Sequence, residues 1–410
     1  MSPPALNRQI KLWRNELPVV HPFYAIKCNP DPTILHAMYD AHLDFDCASR
    51  RELMSVRELA RLNAARRIVY ANPCKSERDI AYAKEMGSPV TVVDSVEELE
   101  KLQGYSGGAL IRIAVDDTAS KMPFSTKFGA REDFIPALSW LAKDSGIDIH
   151  GISFHVGSNC LGGNAYRDAI HKAYNCLRAV RKIGYMDACT IDIGGGYLPC
   201  AKDFKEKAVY IRDAIIDINK QEQSDGMQGI TFIAEPGRFF AKNTYDFFVQ
   251  VIGKKRSNGF WSYTIDDSIY GQFTSILFDH AEPQWVRIKD VTEKPRTFSE
   301  GVIFGRTCDS VDVIARAEHM EELDVGDWLW FPSMGAYTRA TASEFNGFPM
   351  PPIFVDSDES KNNHFAYEDL TPKGVHYIHP VSAKGFWKKR ASSSFSSSLE
   401  KIDSTPPHYT

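Results

Sequence analysis

No stretch of this 410-residue chain approaches the ~20 consecutive apolar residues that a membrane-spanning helix needs. The opening, MSPPALNRQIKLWRN, also lacks the apolar centre of a secretory signal. Both absences predict a soluble protein of the cytoplasm, with no membrane partner. Positive charge is not in excess either: 48 Lys and Arg stand against 53 Asp and Glu, a net charge of -5. The basic footprint of a nucleic-acid binder is therefore missing. The eight cysteines (Cys28, Cys47, Cys74, Cys160, Cys176, Cys189, Cys200 and Cys308) are scattered without CxxC spacing. That pattern removes a zinc site and a disulfide scaffold and leaves reduced thiols.

What is present is a repeated alternation. From residue 22 to about 240, short β-branched or aromatic runs separate longer amphipathic segments such as 50–62 and 164–183. The runs are PFYAIK (22–27), LDFD (43–46), RIVYAN (67–72), VTVVD (90–94), LIRIAV (110–115), GISFHV (151–156), TIDIGG (190–195) and TFIAEP (231–236). Eight strands, each followed by a crossover, is the count of a closed (β/α)8 TIM barrel, although an open doubly wound sheet carries the same pattern. Lys27, Asp46, Asn72, Asp94, His155, the glycines 194–196 and Glu235 each follow an apolar run. They would line the C-terminal rim, where barrel enzymes keep their chemistry.

Beyond about 243 the texture changes to strand-like runs with little helical period: YDFFVQVIGKK, WSYTIDDSIYG, TSILFDH, RTFSEGVIFG, DWLWFPSMGAYT and PPIFVDS. The expected division is a barrel at 1–243, a mostly β domain at 244–388 and a Ser-rich tail at 389–410, the last too polar to fold by burial.

Several residues carry chemistry. A lysine at a barrel rim, Lys27, becomes a nucleophile if partly desolvated, though alone it reads equally as a solvated strand end. Gly195 and Gly196, in DIGGGY, leave backbone N–H groups free to meet an anion such as phosphate. That run is neither G-x-G-x-x-G nor a Walker loop. In AEPGRFF, Glu235 can hold a heteroaromatic nitrogen protonated. There Pro236 and Gly237 form a turn, and Arg238 can bind phosphate. His155 can stack on a planar cofactor, and Ser158 adds a phosphate hydrogen bond. In the second region, Cys308 can deliver a proton to a carbanion, while Asp309 and Asp279 can take the ammonium of a diamine end. Tyr337, in MGAYT, is a further phosphate ligand. Together these supply an amine, phosphate donors, a ring-nitrogen partner, a stacking ring and an acid, the inventory of a pyridoxal phosphate site.

The motifs PFYAIKCN, FDCAS, ANPCK, KFGA, FHVGSN, DIGGGY, AEPGR, YGQF, FDHA, TCDSVD and MGAYT resemble the eukaryotic-type ornithine decarboxylase family, from about residue 10 to about 388. The resemblance implies an alanine-racemase-like barrel followed by a β domain, in a homodimer with active sites shared across the interface. It implies that Lys27 is the Schiff-base lysine and that His155 stacks on the cofactor ring. Ser158, Gly196, Gly237, Arg238 and Tyr337 match phosphate binders, Glu235 the ring-nitrogen partner, and Asp46 and Glu52 carboxylates near the lysine and ring. Cys308 and Asp309 match the proton donor and the distal-amine ligand of the second subunit. Tyr270, Phe278, Asp279 and Phe345 match others around the substrate. The activity implied is decarboxylation of ornithine to putrescine, the start of polyamine synthesis.

Four features depart from the family's pattern. The chain starts close to the first barrel strand, where members carry a further strand-forming segment, so it reads as a truncated gene model. Pro123 stands where many animal members have arginine, Arg306 replaces a proline before TCD, and Arg339 closely follows Tyr337. The last two would suit a distal carboxylate such as that of diaminopimelate. Competing readings are a lysine or arginine decarboxylase, or a regulatory homologue like the antizyme inhibitors. The charged stretch 73–104 resembles the family's antizyme-binding region, and it reads equally as a solvated helical face.

Overall fold

The computed structural model describes residues 1–118, 120–122, 125–160, 162–227, 229–257, 259–289 and 295–355. The expected tail at 389–410, residues 356–388 of the expected second domain and Pro123 lie outside the described residues.

Eight parallel strands close into a barrel: β1 (Val20–Ala25), β2 (Asp44–Cys47), β3 (Ile68–Tyr70), β4 (Val90–Val93), β5 (Ala109–Arg112), β6 (Ile149–Ser153), β7 (Thr190–Asp192) and β8 (Thr231–Ala234). Neighbours in space are neighbours in sequence, and β8 pairs with β1 through Val20↔Phe232 and Pro22↔Ala234. All eight strands follow the sequence pattern within two or three residues at each end. Each strand alternates between two destinations. Phe45, Tyr70, Val93, Ile111 and Ile191 pack outward against the helices, while Val69, Val92, Leu110 and Ile233 form a separate small cluster inside the barrel. Two residues beyond these inward positions come Asp94, Arg112 and Glu235, so the period of two that fills the barrel centre with carbon also fills its mouth with charge.

Helices cover the outside: α1 (Pro3–Glu16), α2 (Pro32–Asp40), α3 (Arg50–Ala60), α4 (Glu77–Glu85), α5 (Val96–Lys101), α6 (Ile135–Asp144), α7 (Gly163–Ile183) and α8 (Ala201–Ser224). Side-chain oxygens of Ser2, Asp31, Ser49, Ser76 and Ser95 accept the orphan amides of five of these starts, about 1 kcal/mol each. α1, which the repeat pattern did not announce, buries Leu6, Ile10 and Trp13 at the four- and three-residue spacing of one helical face. Trp13 lies within 5.1–5.8 Å of the rings of Tyr197, Phe204, Phe239 and Phe240, and its Nε1–H donates to the Val20 carbonyl (3.0 Å). It thereby ties β1 to the last barrel elements. α7 and α8 are joined by a buried pair, Arg181 Nη1 donating to both oxygens of Glu222 at 2.8 and 2.9 Å. Among the described residues no helix is long and apolar enough to cross a membrane.

After a helical turn, α9 (Arg238–Ala241), the chain builds a six-stranded mixed sheet. Its strands are β9 (Phe247–Ser257), β10 (Phe260–Ile265), β11 (Val286–Arg287), β12 (Phe298–Phe304), β13 (Val313–Glu321) and β14 (Trp328–Phe331), in the order β11-β14-β9-β10-β12-β13. Val249, Val251, Tyr263, Ile265, Phe273, Ile303 and Phe331 belong to its own core. Two strand-like runs behave otherwise. TSILFDH forms the helical turn α10 (Ser275–Phe278), because Thr274 and Ser275 engage the local backbone instead of a ladder. The described part of PPIFVDS, 351–355, pairs with no strand.

Candidate active site

Lys27 does not end β1. It sits one turn beyond, in the 3-10 segment Ile26–Cys28, whose geometry is pinned from three directions. Tyr24 Oη donates to the Asn29 carbonyl (2.9 Å), Asn29 Nδ2 donates to the Gly335 carbonyl (2.9 Å), and the Tyr337 N–H donates to the Cys28 carbonyl (3.0 Å). The last two bonds bring the segment after β14 back onto the barrel mouth. The Lys27 Nζ lies 2.5 Å from Asp46 Oδ2. Asp46 faces inward from β2 and is fully buried, with its second oxygen unpartnered. The lysine side chain is 40 % exposed, opening into the mouth. Burial lowers its pKa, but Asp46, Glu235 and Tyr337 outweigh this and hold the ammonium above the ordinary lysine range. Glu52 is close by, and its carboxylate accepts from the Ala48 N–H at the start of α3 (2.5 Å). Burial pushes that carboxyl up.

Around the mouth the glycine run folds back against its neighbours. Gly195 has His155 Nε2 on one side and the Glu235 carbonyl on the other, each 2.9 Å from where a Cβ would stand. Tyr166 Oη donates to the Gly195 carbonyl (2.9 Å). A Cβ on Gly196 would come 2.5 Å from the Gly157 carbonyl, so Gly157 and the adjoining Ser158 sit against the same loop. His155 Nδ1 accepts from the Gly157 N–H (3.0 Å). Burial, Arg112 and Lys27 keep the ring neutral, so its proton is on Nε2, facing the glycine run. Among the described hydrogen bonds, the amides of Gly195, Gly196, Gly237 and Arg238 donate to nothing.

The AEPGR turn is no surface ion pair. Arg238 makes a two-pronged, largely buried contact with Asp279, Nη1 to Oδ2 at 2.7 Å and Nη2 to Oδ1 at 2.8 Å, and lies 4.8 Å from the Tyr337 ring centroid. A cavity of about 340 Å³ opens beside this pair, with Lys121, Asn159, Lys242 and His280 in its wall. Phe278, one residue earlier, is 65 % exposed.

A second cluster lies in the β domain. Tyr270 Oη donates to Asp309 Oδ2, and its ring packs on Phe345 with centroids 4.3 Å apart. The hydrogen bond holds Tyr270 up and Asp309 down in pKa. Cys308 is exposed, its Sγ 3.5 Å from Asn346 Oδ1. Buried Asp312 shapes the loop by accepting from Thr307 Oγ1 (2.6 Å) and the Ile269 N–H (2.9 Å). Among the described residues, no hydrogen bond or ion pair joins Tyr270, Cys308, Asp309 or Phe345 to Lys27 or its neighbours. Arg306 stacks on Phe348 (4.1 Å) and Arg339 donates to the Pro351 carbonyl (2.7 Å); neither reaches Asp279.

Two mouth residues escaped the motif reading. Arg112 ends β5 in the inward register, faces Glu235, Asp94, Asp192 and Asp46, and lies 4.8 Å from the Phe128 ring centroid. Asp192 ends β7, fully buried. Both could have been found from a charge at an inward position of an otherwise apolar strand.

These residues fit pyridoxal phosphate. Four unengaged amides, Arg238 and Tyr337 suit a phosphate, an inward carboxyl at Glu235 suits a basic ring nitrogen, and Lys27 suits an aldehyde.

The family model for pyridoxal-dependent decarboxylase, pyridoxal binding domain, matches residues 4–242. The chain is 38 % identical over 376 residues to an ornithine decarboxylase of Caenorhabditis elegans, covering 86 % of this chain and 85 % of that one. It is 36 % identical over 354 residues to antizyme inhibitor 2 of Xenopus laevis, covering 82 % and 76 %. Among solved structures, the arginine decarboxylase of Paramecium bursaria Chlorella virus superposes with a TM-score of 0.80 at 35 % identity, over 87 % of this chain and 94 % of that one. A closed barrel whose mouth suits the cofactor and a family match spanning that barrel agree, and the chain belongs to the pyridoxal-dependent decarboxylase family.

Proposed function

We propose that this decarboxylase acts on L-ornithine, releasing CO2 and leaving putrescine. The observation that carries the reading is Lys27, held at the barrel mouth by Asp46 beside inward-facing Glu235, in a chain whose nematode relative is an ornithine decarboxylase. Bound pyridoxal phosphate supplies a sink for the electron pair released with CO2. Lys27 anchors the aldehyde end and Glu235 the ring nitrogen. The amides of Gly195, Gly196, Gly237 and Arg238, with the side chains of Ser158, Arg238 and Tyr337, hold the phosphate. Pro236 aims that turn, and its carbonyl accepts from the Ala25 N–H (3.3 Å). Neutral His155 would lie on the ring face of the bound cofactor without adding charge. Asp46 and Glu52 lie beside the lysine, and Asp46 accepts the hydrogen bond of its ammonium. The Cys308 thiol returns a proton to Cα, and Asp309 and Asp279 take the distal ammonium, Asp279 by giving up part of its two-pronged pair with Arg238, with Tyr270, Phe278 and Phe345 around the chain between. Anionic partners at that end favour a diamine product over one with a distal carboxylate.

Cys308 and Asp309 act, in this proposal, on the partner protomer of a homodimer, because they lie open and apart from the Lys27 cluster of their own chain. Eight free thiols suit a reducing compartment, which supports the cytoplasm as the proposed location. Antizyme binding at 73–104 draws less support: Lys75 and Glu98 of that stretch form a buried ion pair (2.7 Å), turned inward from any partner.

The test is CO2 release by the protein loaded with pyridoxal phosphate, offered ornithine, lysine, arginine or diaminopimelate, with Lys27→Ala and Cys308→Ala as controls. Release chiefly from ornithine, lost in both variants, is expected. Preference for another amino acid would move the substrate assignment, and a folded, cofactor-bound protein with no turnover would favour an antizyme-inhibitor-like role.

A further inference from the structure

Four carboxyls converge below the barrel mouth, Asp46, Asp94, Asp192 and Glu235; Lys27 and Arg112 face them, and Lys75 faces Asp94. Asp94 is engaged by the Gly129 N–H (2.8 Å) and Asp46 by Lys27. Asp192 has no cation of its own and no part in the function proposed above. Its Oδ1 accepts from the Gly194 N–H (2.9 Å), while the carbonyl of the same glycine accepts from the Glu235 N–H (2.8 Å). The Asp192 carboxylate and the Glu235 backbone amide are thus fastened to the N–H and the carbonyl of one residue. That residue has to be glycine, since its φ is +64° and a Cβ would stand 2.2 Å from the Phe154 carbonyl. The other Asp192 oxygen is buried with no donor, and the Glu235 carboxyl lies within side-chain hydrogen-bonding reach of Asp192.

Two buried carboxyls in contact repel unless a proton lies between them, and an orphaned buried oxygen costs the full desolvation of that atom. One retained proton removes both penalties. We propose that Asp192 is a positioning residue that shares a proton with the Glu235 carboxyl and, with the Glu235 backbone held by the same Gly194, ties that residue to the phosphate-binding glycine run. The consequence for the cofactor is mechanical as well as electrical: the ring-nitrogen partner and the phosphate loop move as one piece, so the two ends of a rigid ligand are gauged together. Burial carries the Asp192 carboxyl up to about 7 and raises Glu235 further, with Asp46 adding repulsion and Arg112 and the Gly194 N–H opposing it. Tyr197, whose hydroxyl is buried nearby, faces the same group and stays un-ionised.

The role in cofactor binding rests on the reading of Glu235 as the ring-nitrogen partner; the shared proton does not. Infrared difference spectra of the full chain at pH 7, before loading, should contain a protonated-carboxyl carbonyl band that is absent from Asp192→Asn and from Glu235→Gln. Asparagine keeps an oxygen for the Gly194 N–H, and the glutamine variant gives the same readout should the first not fold. After loading, Asp192→Asn should bind pyridoxal phosphate about 10- to 100-fold more weakly in an absorbance titration, the range for losing one charge-assisted hydrogen bond. Absence of the band in the unmodified protein, or its survival in Asp192→Asn, would overturn the proposal. If the band behaves as expected but Glu235→Gln leaves the pH titration of the bound cofactor unchanged, the reading of Glu235 fails and the cofactor role with it.

Discussion

Asp46 and Asp309 each hold a side-chain hydrogen-bond donor, Lys27 and Tyr270 respectively, but Asp46 is buried at the end of a barrel strand and Asp309 sits on a loop whose neighbours Cys308, Ser310 and Val311 are exposed. At the mouth, most charges are fixed by strand register, are shielded from water and shift one another strongly. On the loop, the same chemistry is bathed in solvent, where a charge pair adds little. The barrel mouth is therefore set before any ligand arrives, whereas the loop becomes chemically potent once something excludes water from it. A second protomer laid over Cys308 and Phe345 would do so.

The sharpest way to break that contrast is to damage one region in each of two variants. Lys27→Ala should lower decarboxylation by roughly 10⁴-fold or more, as loss of a reacting nucleophile does. Cys308→Ala should cost about 10²-fold while leaving cofactor absorbance intact. Co-expressed, the pair should recover about a quarter of full activity, because half the dimers are mixed and one site of each mixed dimer is whole. No recovery would place both regions in one chain's site. A smaller effect is expected at Asp279, where Asn should raise KM for ornithine about 10- to 100-fold with a lesser change in kcat. Steady-state kinetics separate the two, and an unchanged KM would remove Asp279 from the substrate end.

The smallest effect concerns stability. Asp192 titrates near 3.8 when unfolded and near 7 when folded, so the folded chain binds more protons between those values. Stability from this group is then greatest below the unfolded value, falls as pH rises from about 4 to about 7, and is level above that. Chemical denaturation of the unloaded protein should register a decline across that range that Asp192→Asn flattens. A flat profile in the unmodified protein would contradict the buried-acid picture.

The barrel was legible because its strands obey a local rule: short apolar runs with a polar residue at or near the end of each. The mouth was half legible for the same reason. Glu235 and His155 announce themselves within short motifs, but Arg112 and Asp192 declare their role only once register shows which way they face. The β domain was read more coarsely. TSILFDH has strand-like composition yet turns as a helix, and the parallel pairing of β10 with β12, Trp261 against Gly301, is a long-range fact that no local pattern carries. The pairing of Arg238 with Asp279 joins residues 41 apart through folding alone.

The seam between β1 and β8 joins Val20 to Phe232, and the Trp13 nest that braces it needs Phe239 and Phe240. On a ribosome, roughly 210 residues separate the two edges, which at about 5–20 residues per second is a wait of some ten to forty seconds. Throughout that interval β1 offers an unpaired edge and α1 an uncovered apolar face. The closed ring that protects the finished enzyme thus makes its N-terminal quarter the part most in need of shelter while the chain is being born.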